Sequence, residues 1–287
     1  MRWQFLTISM LAVLFAGSAQ ADSFFFSTGS PTNSIAMASR PGGSSGANQE
    51  TEAADDFTLS APSTRLDSAT FTGLLPANAD VSEVHVEIYR VFPNDSTVPP
   101  SGAVPTRANS PSDVAFDERD SASNLTFSTV ALSATFTTLN SVDLGIHAFP
   151  GQTTGGDGSA TGREVQFNVT FTTPFDLPPD HYFFVPQVLL LNPDDHFLWL
   201  SAARPNVTTP FAPDLQAWMR NDSLDPDWLR VGTDIVGGSP APTFNAAFSL
   251  AGETIPEPAS YLLLGSAFLG LLAVGRKRLV RGHTLSS

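Results

Sequence analysis

Cysteine is absent from this 287-residue chain, and lysine occurs once, as Lys277. Without cysteine there is no disulfide scaffold, no zinc–thiolate centre and no cysteine nucleophile. A chain of this size buries a core without disulfides, so their absence leaves export open. Positive charge is scarce as well. Residues 22–258 hold all 28 acidic residues but nine of the fourteen basic ones, a net charge of −19 against −14 for the whole chain. Such a surface repels nucleic acid and anionic lipid, and no nucleic-acid partner is expected. It suits solubility outside a cell, a hydrated extracellular matrix, or divalent cations.

Long helical patterns are missing too. The 23 prolines interrupt helices, while threonine, valine and 22 phenylalanines favour strands. Period-2 alternation is clear in VHVEIYRVF, where Val84, Val86, Ile88 and Phe92 share a face opposite His85, Glu87 and Tyr89. EVQFNVTF repeats the pattern with Val165, Phe167, Val169 and Phe171. Both read as half-buried antiparallel strands. Further strands are expected at 56–60, 68–74, 125–132, 181–191, 196–202, 215–220, 228–232 and 243–250, separated by turn-rich joints. The pattern predicts an all-β fold, an antiparallel β-sandwich of jelly-roll type, with no internal repeat. Residues 27–51 hold few large apolar side chains, so 22–52 is expected as a mobile arm on a domain spanning 22–251. The proline-rich stretch 93–111 reads as a long ordered connection at one end of the sandwich.

The two ends read as addresses. MRWQFLTISMLAVLFAGSAQA has a positive residue, Arg2, a short apolar run and the small-x-small triplet Ala19-Gln20-Ala21. That predicts a signal peptide over 1–21, removed after Ala21 by signal peptidase once the export machinery has engaged it. An uncleaved anchor would need a run closer to about 20 apolar residues. At the other end, residues 259–275 are uncharged and mostly apolar, at the lower limit for a membrane span. Arg276, Lys277, Arg278 and Arg281 follow, a basic tail over 276–281 that stops transfer and stays cytoplasmic. The predicted orientation at the inner membrane is body outside, tail inside. A buried core helix is disfavoured by that basic cluster and by the prolines just upstream. An ordinary single-pass anchor that is never processed is the other reading.

Pro256-Glu257-Pro258, then Ala259-Ser260, a short hydrophobic segment and a basic C-terminus together resemble the PEP-CTERM sorting domain, here over 252–281. The resemblance implies an envelope protein recognised by an exosortase, cleaved near the triplet, and released or attached at the surface. It also implies company with exopolysaccharide production. Pro256, Glu257 and Pro258 would be the recognition triplet, and the prolines keep that segment extended. The pieces AADDFTL, ATFTGLL and VHVEIYR are loosely similar to secreted β-sandwiches carried on such tails, which implies a fold and no activity.

Signatures of chemistry are few. GxSxG, SxxK, HExxH, EF-hand and RTX patterns do not occur. His181 and His196 flank a hairpin-like segment and could meet, although polar caps at strand starts explain them as well. The acidic doublets Asp55-Asp56 and Asp194-Asp195, and the loop trio Asp222, Asp225 and Asp227, offer hard oxygen ligands. Calcium is the one cofactor considered, chiefly at the trio, with solvated turn residues as the plainer reading. Trp199, Trp218 and Trp228 are either core or a sugar-stacking platform, and alternation around Phe197 and Trp199 favours core. The expectation is a non-enzymatic exported surface or matrix protein. The alternatives are a carbohydrate-binding module, which would show exposed tryptophans in a groove, and a secreted hydrolase, which would show convergent carboxylates in an open cleft.

Overall fold

The computed structural model describes residues 21–42, 49–97, 101–146, 153–203 and 214–255. Its strands are β1 (Asp22–Ser27), β2 (Pro31–Ala38), β3 (Thr51–Leu59), β4 (Thr64–Leu75), β5 (Val81–Arg90), β6 (Asp117–Asp120), β7 (Leu125–Thr137), β8 (Ser141–Val142), β9 (Thr161–Leu177), β10 (Asp180–Leu190), β11 (Leu198–Ala202), β12 (Trp218–Asn221), β13 (Leu229–Arg230), β14 (Asn245–Ala246) and β15 (Phe248–Thr254). One π-helical turn, Val231–Val236, follows β13.

The strands form two sheets. One has the order β13-β12-β3-β10-β5-β6, antiparallel throughout. The other is built around β4 and forks. One side of β4 carries β9 and then β7. The other side is shared: β15, with β1 beyond it, pairs along Thr64–Phe71, whereas β11 takes over at Gly73 and Leu74 and leads on to β2 and β8. Gly73 marks the fork because a Cβ there would lie 2.2 Å from the Phe197 ring and 2.6 Å from the Leu198 carbonyl oxygen.

Aromatic side chains join the sheets face to face. Phe184 of β10 lies 5.0 Å from Phe248, 6.0 Å from Trp199 and 6.4 Å from Phe71, all of the forked sheet. The alternation predicted for β5 and β9 is observed: Val84, Val86 and Ile88 are fully buried, as is Phe167. Phe92 falls beyond the end of β5, with the Arg107 guanidinium 4.6 Å above its ring. Residues 181–191, expected as one strand, are mostly apolar because β10 is covered on both faces. Tyr182 and Phe184 point into the sandwich, while Phe183 and Val185 meet a second cluster with Tyr89, Trp218 and Trp228. Pro186 is tolerated there because the pairing of β10 with β3 stops at Phe184.

Two expected boundaries change. The arm expected over 22–52 is largely sheet: β1 lies along β15, and Ile35, Ala36 and Met37 of β2 have no exposed surface. The second half of β2 is buried although it has few large side chains, so a shortage of bulk did not mean a shortage of burial. The domain also runs past 251, since β15 continues to Thr254 and the Ile255 amide donates to the Ser63 carbonyl at 2.9 Å. Gly73→Ala is expected to cost about 1–3 kcal/mol, because the added methyl meets backbone and ring at once. Urea unfolding followed by tryptophan fluorescence measures it.

Candidate functional site

The polar half of the outer face of the six-stranded sheet forms an open cleft of about 770 Å³. Pleating places Glu52 of β3, Glu87 and Tyr89 of β5, and Arg220 of β12 side by side on this face. The segment 113–118 makes one wall, and Asp222 and Asp225 stand at the rim. The apolar half of the same face is closed by Trp218 and Trp228, so the cleft floor borders a dry cluster.

Arg220 organises the floor. Its Nε donates to Glu52 Oε2, and its Nη2 donates to Glu52 Oε1 at 3.1 Å and to the Tyr89 hydroxyl at 2.9 Å. Its Nη1 reaches Asp225 at 2.9 Å and the Asp113 carbonyl at 3.2 Å. The guanidinium lies 4.4 Å from the Trp228 ring centroid. Burial opposes the arginine charge, but the Glu52 carboxylate outweighs it and holds Arg220 protonated.

The Tyr89 oxygen is 2.8 Å from Glu52 Oε1 and 2.9 Å from Glu87 Oε2. A hydroxyl has one proton to give. Burial first, and repulsion from Glu52 second, push the Glu87 carboxyl up to about 8. Glu87 is therefore protonated at neutral pH and can donate to Tyr89, while Tyr89 donates to Glu52, whose charge Arg220 balances. Burial likewise raises Glu50, which accepts from Gln187 at 3.0 Å. Behind the wall, Arg107 is buried between Asp113 at 2.6 Å and Asp227 at 2.7 Å.

The calcium trio is divided by this arrangement. Asp225 pairs with Arg220, Asp222 accepts from the Glu50 amide at 3.2 Å, and Asp227 lies fully buried against Arg107. His181 and His196 do not meet: the first contacts Asp56 at 2.6 Å, and the second lies 2.6 Å from both Asp143 and Arg40. Among the described residues, no three His, Cys, Asp or Glu side chains are grouped to hold a metal ion. Trp199, Trp218 and Trp228 are all buried, as core rather than platform. The sequence reading passed over Glu50, Glu52 and Arg220. Period-2 alternation did set Glu87 and Tyr89 on one face, but only the fold brings β3 and β12 beside them.

The sign of the Glu87 effect follows from linkage. Between 4.5 and about 8 the folded state keeps a proton that the unfolded state has lost. Its contribution is complete below 4.5 and is lost as pH rises through that window. Glu87→Gln is expected to flatten the fall in Tm between those pH values and to be the more stable form at the upper end. Thermal melts of both proteins across the range check this. Arg220→Met leaves Glu52 buried without its counter-ion and should cost about 3–5 kcal/mol in urea unfolding.

A family model for the PEP-CTERM protein-sorting motif matches residues 254–278. No curated protein and no solved structure matches the chain. The predicted signal peptide with its cleavage after Ala21, the residues Pro256 to Ser260, the span 259–275 and the basic residues Arg276, Lys277, Arg278 and Arg281 lie outside the described residues, apart from Ala21 itself. Within the described residues no helix is long and apolar enough to cross a membrane. The match begins on Thr254, the last residue of β15, so the motif follows the folded body without a spacer. The chain is a β-rich body that carries the PEP-CTERM protein-sorting motif, the mark of an exported protein sorted by an exosortase.

Proposed function

We propose that this is a non-enzymatic protein of the cell surface or extracellular matrix, exported behind a cleaved signal peptide and held at the inner membrane by the segment 259–275 until an exosortase cuts near Pro256-Glu257-Pro258. The mature object is then the acidic sandwich, working within an exopolysaccharide matrix. The observation that carries this reading is the sorting motif over 254–278. The net charge of −19 over residues 22–258 supports it, since a strongly anionic body stays hydrated and dispersed among polymers. Calcium, which bridges carboxylates, is a natural companion in such a setting.

The cleft favours a second reading. Glu87, protonated at neutral pH in an open cleft, has the property that a general acid of a secreted hydrolase needs. Against that role, Glu52 and Glu87 share the Tyr89 hydroxyl and Glu52 is tied to Arg220. Glycoside hydrolysis instead sets two carboxyls apart across a sugar. A carbohydrate-binding module is left with the polar cleft alone, because the tryptophans are buried.

Intact mass of the protein from membrane and extracellular fractions of its host tests the first reading. The expected extracellular mass lacks residues 1–21 and everything after about 258. A mass extending to Ser287 in every fraction would overturn processing and leave an ordinary anchor.

A further inference from the structure

The inward face of β3 reads Thr51, Ala53, Asp55, Phe57, Leu59, and Asp55 occupies a core position with no exposed surface. A carboxylate there needs a counter-charge or a full set of donors. Asp55 has neither. Its Oδ2 accepts from the Ala246 amide at 2.8 Å, and its Oδ1 has no hydrogen-bond partner. No arginine or histidine forms an ion pair with it among the described residues. Its neighbour Asp56 points to the other face and is satisfied by His181 and the Leu215 amide.

A second unanswered oxygen belongs to the residue beside the one that binds Asp55. Asn245, preceding Ala246 in β14, is 1% exposed, and its Oδ1 has no partner either. Its Nδ2 donates to Asp214 Oδ1 at 2.7 Å, which fixes the amide and leaves the oxygen as the free end. Asp214 is near enough to raise the Asp55 carboxyl by repulsion, after burial and Asp56. Three separate segments are thus linked in a chain, Asp55 to the Ala246 amide and the adjoining Asn245 to Asp214, with Asp214 on the less buried side.

We propose that Asp55, Asn245 and Asp214 bind a calcium-class divalent cation that ties β3, β14 and the segment leading into β12 together. Carboxylate and amide oxygens are the ligands such hard ions take, and water reaching the Asp214 side would complete the shell. The rival is a proton held on Asp55, which leaves the two orphan oxygens to share a hydrogen but gives no response to metal. This site is separate from the loop trio: Asp222 and Asp225 line the cleft and Asp227 is committed to Arg107.

The test is thermal unfolding of the full chain in detergent, in chelator and in about 10 mM calcium chloride, a range that covers extracellular calcium modules. Calcium is expected to raise Tm by about 5 °C. Asp55→Asn should abolish the rise, whereas the control Asp222→Asn with Asp225→Asn should keep it. Asn245→Asp, which adds a carboxylate, should lower the calcium concentration giving the half-maximal rise about tenfold. It also keeps the question open to test if Asp55→Asn does not fold. No calcium-dependent rise in the wild-type chain, or an equal rise in Asp55→Asn, would overturn the site.

Discussion

The six-stranded sheet must be buried on both faces, and most of the molecule is arranged to meet that demand. Its inner face is met by the forked sheet, with Phe184 packed against Phe71, Trp199 and Phe248. Its outer face has no third sheet to cover it. Side chains of the connections do so instead: Val91, Ala115, Leu215 and Trp228 pack over Tyr89 and Phe183, with Trp228 5.4 Å from Tyr89. Where that cover is apolar the face is dry. Where it stops, the polar half of the same strands becomes the cleft, and Arg220 sits at the boundary with its plane on Trp228 and its donors on Glu52.

That boundary explains the peculiar charge composition. Three of the nine arginines of the body work inside rather than outside. Arg107, Arg119 and Arg220 are buried, each pairs with a carboxylate, and each lies over an aromatic ring, respectively Phe92, Phe175 and Trp228. A planar guanidinium with five donors can stack and fork in this way, and a lysine ammonium cannot. Arg65, by contrast, stays at the surface beside Asp176.

Much of this was legible in the sequence, for local reasons. β5 and β9 alternate because each has one buried face, and 181–191 was legible as a strand, though not its central place, which follows from its pairing with both β3 and β5. The sorting motif was legible because it is linear, read in order by whatever recognises it. β1 was missed because it is short and only Phe26 of its three phenylalanines is buried, and β2 because it has few large side chains although its second half is fully buried. β6 and β8 are too short for any period to show. The cleft was hidden for a different reason: Glu52, Glu87 and Arg220 are neighbours only through the pairing of β12 with β3 and of β10 with both β3 and β5. Asp55 was visible as half of a doublet, but its position among core residues depends on which face of β3 turns inward.

The same pairing logic fixes how the body meets its sorting signal. β15 lies between β1 and β4, with Asp22 opposite Thr254 and Thr64 opposite Thr254 on the other side. The first residue after the predicted signal-peptide cut and the first residue of the sorting motif therefore share one rung of one sheet. β15 is held on both edges, by one ladder of backbone hydrogen bonds to β1 and a second to β4. The residues 22–27, expected as part of a mobile arm, are what makes this attachment two-sided.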